Sequence, residues 1–349
     1  MANILIIRLS AIGDVAMTIP VIYSAARANP DDKFTVLTQV FLIPVFISRP
    51  ANVEITGINT FGAEKSLGGL LRFARAYATY DFDIVLDLHS VVRTFLIRTL
   101  FRLRGKKVFV IDKARKERAR LTSRRHKELK PLRSVTDRYA DVFRAAGLNY
   151  SDTFRFLFGG QYVARLSATE KLTGPKEGKW IGIAPFAKHR GKVYPPERME
   201  QVVAILAGRE GIRLFLFGGR GREQEILEEW ASRYPHVQSV AGRCSLGDEL
   251  SLMSHLDLLL CMDSANMHFA SLTGINVVSV WGATHPYSGF YGYRQSPGNA
   301  IQADMPCRPC SIYGQKPCYR GDHACMTQIT PEQIVRKIEK TLAAHENRH

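Results

Sequence analysis

The feature that most constrains this chain is a change of hydrophobic period that recurs along its length. Short apolar runs such as "NILIIRL" and "WIGIAPF" give way, each time, to longer segments with apolar residues at helical spacing. In the first half, "NILIIRL" leads into a helix from about Asp14 to Asn29, and "KFTVLTQ" is a second strand. "GLLRFARAYATY" has helical periodicity and "FDIVLDLHS" reads as a buried strand. "SVTDRYADVFRAAGL" is an amphipathic helix stopped by Gly147. A polar, Gly-rich stretch, 158–179, reads as a connection. The pattern then restarts with "WIGIAPF", and strands "IRLFLFGG", "DLLLCMDS" and "NVVSVWG" alternate with helices up to a terminal one, "TPEQIVRKIEKTLAAH". Strands alternating with helices imply parallel sheets with helices on both faces. A chain of 349 residues has room for two such domains. The expected boundaries are 1–165 and 178–330, with a C-terminal helix, 331–349, packing back on the first domain. Ligands of such sheets bind outside the strand C-terminal ends, so a cleft between the two sets of ends is expected.

No apolar stretch approaches the roughly 20 residues of a membrane span. The longest, "VLTQVFLIPVFI", is broken by Pro44. The first residues lack a cationic region and a cleavage site, so they read as a strand and not a signal peptide. A cytoplasmic protein is expected.

Charge is unevenly placed. The formal net charge is +16, and from Arg102 to Arg138 fifteen Lys or Arg face four Asp or Glu. Charge runs are usually solvated surface, but this one also attracts anions: nucleic acid, an anionic membrane, or a phosphorylated substrate. Aromatic residues are nearly absent from it, which argues against single-stranded nucleic acid, where stacking platforms are expected.

Of six cysteines, Cys244 and Cys261 sit in apolar contexts. Cys307, Cys310, Cys318 and Cys325 cluster in "CRPCSIYGQKPCYRGDHAC". A reducing cytosol disfavours structural disulfides. Cys-x2-Cys followed by two more cysteines resembles zinc spacing, although the second half is not a Cys-x2-Cys pair. The alternative is a set of packed thiols in a tight loop.

The chemistry-bearing residues stand at strand ends. After the first strand come Ser10, Gly13 and Asp14. Asp14 either caps a helix or accepts a proton at a ligand site, and the fragment alone leaves both open. After "WIGIAPF", Lys188, His189, Arg190 and Lys192 crowd one loop, suited to phosphate oxygens or to plain exposure. "FLFGGRGREQE" sets Glu223 and Glu225 after two glycines, where a carboxylate can hold ribose hydroxyls. It is not a GxGxxG after the first strand, so a dinucleotide reading is weak. "LLLCMDSANMHFASLTG" is the strongest element. A buried strand ends, and Asp263 and Ser264 open a helix carrying His268. That builds an anion-binding helix N-terminus beside a carboxylate. "VWGATHP" then brings Thr284 in a Gly-containing turn. A lone histidine on a helix is more often packed than catalytic, so the residues alone give His268 no catalytic role.

At these residues the chain resembles glycosyltransferase family 9, the lipopolysaccharide heptosyltransferases, over nearly its whole length. "RLSAIGDVAMTIPVI" looks like the family's opening loop, and "YDFDIVLDLHSVVRT" is similar to its acceptor-domain strand. "MDSANMHFASLTGINVVSVWGATHP" resembles its most specific signature, with Ala265 where Gly is usual. "CRPC…C…CMTQITPEQI" is similar to the Cys-rich tail of the heptosyltransferase II branch. The resemblance implies an α/β GT-B fold of two Rossmann-like, doubly wound domains facing a cleft. The first domain would bind the acceptor and the second the nucleotide sugar, usually ADP-heptose. The implied reaction is an inverting transfer of heptose to a hydroxyl of the lipopolysaccharide inner core, Kdo-lipid A or heptosyl-Kdo-lipid A. Asp14 maps onto the general base. Lys192, with Lys188 beside it, maps onto the phosphate lysine, and Glu223 or Glu225 onto the ribose acid. Asp263, Ser264, His268 and Thr284 fall in the donor signature, and Arg243 and Cys244 near the adenine. Ser10, Gly13 and His89 would line the acceptor side, and Arg120, Arg124 and Arg125 would clamp a phosphorylated lipid.

The physics fits this mapping. An acceptor hydroxyl is a poor nucleophile until a carboxylate takes its proton. A nucleoside diphosphate leaves more readily when Lys192, Ser264 and a helix N-terminus neutralise its charge in place of a metal. No cofactor is required on this reading, zinc at the Cys cluster being an optional structural addition. The expected partners are the nucleotide sugar, an anionic lipopolysaccharide precursor and the inner face of the cytoplasmic membrane, with no nucleic acid, and a monomer is expected. Two alternatives remain: a GT-B transferase using another nucleotide sugar, and a basic nucleic-acid-binding α/β protein. The second predicts a steep salt dependence and leaves Asp14 and Asp263 unexplained.

Overall fold

The computed structural model describes residues 1–159 and 169–346. The centre of the expected Gly-rich connection, 160–168, lies outside the described residues. The chain divides into two compact units, Met1–Ala114 with Arg133–Arg155, and Arg115–Leu132 with Phe156–His349.

The first unit holds five parallel strands: β1 (Asn3–Ile7), β2 (Lys33–Gln39), β3 (Val53–Ile58), β4 (Ile84–Asp87) and β5 (Lys107–Val110), in the order β3-β2-β1-β4-β5. The apolar run of β1 is wholly buried from Ile4 to Ile7, because both faces of such a sheet are covered. The helix expected over 14–29 is two helices, Ile12–Ala16 and Ile19–Ala28. The break falls at Met17-Thr18, just before Pro20. A proline suits the first turn of a helix and not its interior, and the Thr18 hydroxyl donates to the Val15 carbonyl there.

The second unit holds six parallel strands: β6 (Lys179–Ala184), β7 (Ile212–Leu216), β8 (Val237–Ser239), β9 (Leu258–Met262), β10 (Asn276–Trp281) and β11 (Ala300–Gln302), in the order β11-β10-β9-β6-β7-β8. Each sheet reverses direction of winding once, between β1 and β4 in the first and between β6 and β9 in the second. Open α/β sheets bind ligands at that switch point, outside the strand C-terminal ends.

Two placements differ from the sequence expectation. The terminal helix, Pro331–Glu346, is part of the second unit. Ile334, Val335 and Ile338 enter the core of the second, with Met199, Val202, Val203 and Leu206. Its apolar stripe is thereby covered by the helix Pro196–Ala207 and the sheet beneath it. The basic segment Arg115–Leu132, counted in the first domain from the sequence, belongs to the second unit. Among the described residues no helix is long and apolar enough to cross a membrane.

Candidate active site

At the β1/β4 switch point of the first unit, β1 is followed by Arg8, whose Nη2 lies 2.7 Å from Asp14 Oδ2. The other guanidinium arm donates to the Leu88 carbonyl at 2.7 Å. Asp14 Oδ2 also accepts from the Ala11 backbone N–H at 3.3 Å. Asp14 is therefore a local cap as well as an ion-pair partner. Both contacts fall on Oδ2, and the carboxylate keeps partial solvent exposure. Gly13 precedes it in the same short helix. Ser10 Oγ stands 3.4 Å from His89 Nε2, which joins the two loops of the switch point.

His89 is buried, and its Nδ1 has no hydrogen-bond partner among the described residues. Burial, followed by the Arg8, Lys113 and Arg93 charges, pushes its pKa down to about 3, so the ring is neutral near pH 7. Below it, Asp87 is fully buried. It accepts from the His89 and Ser90 N–H groups at 3.0 and 2.8 Å and pairs with Arg98 at 2.8 Å. Those partners fix Asp87 as the anchor of the β4 loop.

At the β6/β9 switch point of the second unit, the tight turn Arg190–Lys192 brings Lys192 Nζ to 2.8 Å from Asp263 Oδ2. Asp263 follows directly on β9 and Ser264 is the N-cap residue of the helix Ala265–Thr273. The Ser264 side chain makes no capping hydrogen bond, and its Oγ is buried without a partner among the described residues. Thr284, in the turn after β10, likewise has a buried, unpartnered Oγ1. Two hydroxyls, a helix N-terminus and an ammonium thus gather at adjacent strand ends, which is the equipment of an anion site. His268 is buried on that helix, one turn in.

The remaining residues singled out in the sequence lie around this centre. Lys188 is exposed on the β6 loop. Glu223 Oε2 accepts the Gly219 N–H at 2.7 Å, closing the turn after β7, while Glu225 is exposed and pairs with Arg222. Arg243 is half-exposed beside Glu228. Burial, then the Glu249 and Asp248 charges, pushes the Cys244 thiol up to about 11, so it is a neutral wall and not a nucleophile.

Arg120, Arg124 and Arg125 are exposed, on the segment that belongs to the second unit. Arg124 stacks 4.0 Å from the Tyr319 ring centroid and Arg120 faces Glu128. The four tail cysteines line one small cavity with Gly191 and Arg308. All are free thiols. Among the described residues no three His, Cys, Asp or Glu side chains converge to hold a metal, so the zinc set suggested by spacing is not assembled here. Burial, chiefly, raises the Cys310 thiol and pushes Cys325 up to about 11, which suits packed, protonated thiols. Sequence reasoning missed Arg8 and Arg308. The signal for Arg8 was a charged residue directly after an apolar run, which obliges a partner.

Two Rossmann-like parallel sheets, each with polar side chains gathered at its switch point, are the architecture of the GT-B class. The family model for glycosyltransferase family 9 (heptosyltransferase) matches residues 70–316, and the chain belongs to that family. Lipopolysaccharide heptosyltransferase 1 of Pseudomonas aeruginosa is 22% identical to it over 99% of both chains. Among solved structures, the family 9 glycosyl transferase of Veillonella parvula is similar, with a TM-score of 0.76, 21% identity and 98% of each chain covered. Escherichia coli heptosyltransferase WaaC with ADP-2-deoxy-2-fluoro heptose follows, with a TM-score of 0.66, 21% identity, and 97% and 99% covered.

Proposed function

We propose that this enzyme transfers heptose from ADP-heptose to a hydroxyl of the lipopolysaccharide inner core, with inversion at the anomeric carbon. The observation that carries the reading is the Lys192–Asp263 pair at the open N-terminus of the helix Ala265–Thr273, with the unpartnered Ser264 hydroxyl beside it. A nucleoside diphosphate matches that chemistry; the Pseudomonas relative is described as a lipopolysaccharide heptosyltransferase, and the WaaC structure holds ADP-2-deoxy-2-fluoro heptose.

In the proposed step the acceptor oxygen forms a bond to the anomeric carbon while the bond from that carbon to the β-phosphate oxygen breaks. Asp14 Oδ1 takes the acceptor proton, with Arg8 holding the other carboxylate oxygen in place. Lys192 and the helix N–H groups take the charge that develops on the leaving ADP. No metal is required. Neutral His89 and Ser10 orient the acceptor. Glu223 or Glu225 holds the ribose, and Arg243 and Cys244 border the adenine. The exposed cations of Arg115–Leu132, Arg125 among them, face a phosphorylated lipid at the inner surface of the cytoplasmic membrane.

The test is ADP release from ADP-heptose with Kdo-lipid A or heptosyl-Kdo-lipid A, for the wild type and Asp14→Asn. Removing a general base lowers kcat by about 10²- to 10⁴-fold. Equal rates in the two proteins would reduce Asp14 to a cap. Turnover by neither would overturn the choice of donor or acceptor.

A further inference from the structure

Arg308 is a buried cation that the proposed reaction does not use. Its side chain donates to oxygen atoms all round. Nε reaches the Gly282 carbonyl at 2.6 Å and Nη1 the Ala303 carbonyl at 2.6 Å. Nη2 reaches the carbonyls of Trp281 and Thr284 and the side-chain oxygen of Gln302, each at 3.1 Å. All five acceptors are neutral. Desolvating a guanidinium is costly, so an arrangement whose direct partners are all carbonyl dipoles, with the Asp304 charge acting only from outside hydrogen-bond contact, calls for a reason.

The reason lies in what those carbonyls belong to. Trp281 ends β10 and Gly282 and Thr284 lie in the turn that follows, and that turn is stitched to the one carrying Lys192. The Ala283 N–H donates to the Gly191 carbonyl at 2.8 Å, and Cys310 N–H returns a bond to the Ala283 carbonyl at 3.0 Å. The backbones touch so closely that a Cβ added to Gly282 would stand 2.7 Å from the Gly191 oxygen. One added to Gly191 would stand 2.8 Å from the Gly314 oxygen, and one added to Gly314 would stand 2.6 Å from Lys192 Cγ. Three turns are thus in backbone contact around the Lys192 stem, and the side chain that fixes the one at 281–284 is Arg308.

We propose that Arg308 is a positioning residue for the donor diphosphate: it locks the turn 281–284 and, through Gly191, holds the Lys192 ammonium and the Thr284 hydroxyl in register for the phosphates. This rests on the ADP-heptose reading above. The fork geometry matters as well as the charge, because a lysine in the same place has one ammonium and no planar set of five donors.

The experiment uses the full chain. ADP binding is measured by calorimetry, and steady-state constants for ADP-heptose and acceptor are measured separately, for wild type, Arg308→Lys and Arg308→Ala. The alanine variant is also assayed with millimolar guanidinium chloride against equal sodium chloride. Loss of hydrogen bonds to a charged group predicts a rise of roughly ten- to hundredfold in the ADP Kd and the donor KM. The acceptor KM stays put, guanidinium restores part of the donor affinity, and Arg308→Lys falls between. Donor and acceptor constants moving together, in step with a lower Tm, would make Arg308 merely structural and overturn the proposal. So would unchanged ADP affinity in variants of a wild type that binds ADP. A wild type that binds no ADP refutes the donor reading itself, and this inference falls with it. If both variants fail to fold, hydrogen exchange on the wild type decides. ADP must slow exchange at the Ala283 and Cys310 amides, and no change there overturns the proposal.

Discussion

Replacing Lys192 by glutamine separates two jobs that its ammonium does at once. It lies 2.8 Å from Asp263, with the two side chains 16% and 5% exposed. Breaking a buried ion pair from one side costs about 3–5 kcal/mol, because the remaining charge is stranded. Lys192 keeps some water, so the lower end, about 3 kcal/mol, applies. In a unit of this size each kcal/mol moves the Tm by about 2–4 °C, so Lys192→Gln lowers the melting of the second unit by roughly 6–12 °C. Adding Asp263→Asn removes the stranded carboxylate and brings the Tm most of the way back. Activity behaves differently. On the proposed mechanism, losing the Lys192 charge costs about 10²- to 10³-fold in kcat, by analogy with removal of a donor from an oxyanion site. The double variant stays slow, because neutralising Asp263 does not put a cation back. Calorimetry and ADP release on the two single variants and the double complete the cycle. A double variant that regains its rate would show that Lys192 only balances Asp263. An unchanged Tm in Lys192→Gln would show that the pair is not desolvated at all.

Two further outcomes follow from burial. His89 in the first unit and His285 in the second are held neutral, with pKa values pushed down to about 3 and about 4, each chiefly by burial. An unfolded histidine takes up its proton near pH 6.5, so the unfolded state binds more protons below that pH and stability falls with acid. The loss from pH 7 to pH 5 is about 2 kcal/mol per histidine. Calorimetry at the two pH values shows it, and His89→Gln removes the dependence from the first unit alone; flat melting over that range would refute it. Ile338 is fully buried in the core of the second unit, so Ile338→Ala lowers that unit's stability by about 2–4 kcal/mol. A fall in the first unit's melting instead would mean that the terminal helix packs there.

What was legible in the sequence follows from where each strand lies in its sheet. Central strands such as β1, β4, β6 and β9 are covered on both faces and read as unbroken apolar runs. The strands that escaped, β3, β5, β8 and β11, are the four sheet edges. β8 and β11 are only three residues long, and β3 and β5 mix charged with apolar side chains, as edges do. The terminal helix was legible for the same reason that its partner was not. Helical spacing defines an apolar face but not what covers it. At the sites, the residues themselves stood out because each lies in the segment that follows a buried strand. Their pairings did not. Nothing local ties Lys192 to Asp263, 71 positions on, or Arg308 to the turn after β10.

The basic segment shows this limit most clearly, and it alters the acceptor argument. As a run of charge it reads as solvated surface without aromatic company. In the structure its aromatic company comes from far along the chain. Arg118 lies 4.8 Å from the Phe290 ring centroid and donates to the Tyr313 hydroxyl at 2.8 Å, and Arg124 covers Tyr319. The Lys127 ammonium donates to the carbonyls of Pro306, Arg308 and Pro309 at 3.0, 2.9 and 3.1 Å, with burial lowering its pKa. These three cations tie the segment to the cysteine-rich tail. Their charge is committed to that task, and truncating them loosens the tail that backs Lys192. Of the remaining cations Arg120 is exposed but faces Glu128 at 3.7 Å, while Arg115, Lys116, Arg125 and Lys130 are exposed with no ion pair among the described residues. Any pull on a phosphorylated acceptor therefore rests on this smaller set. Neutralising those four is the informative variant, because it alters the surface charge without dismantling the donor site.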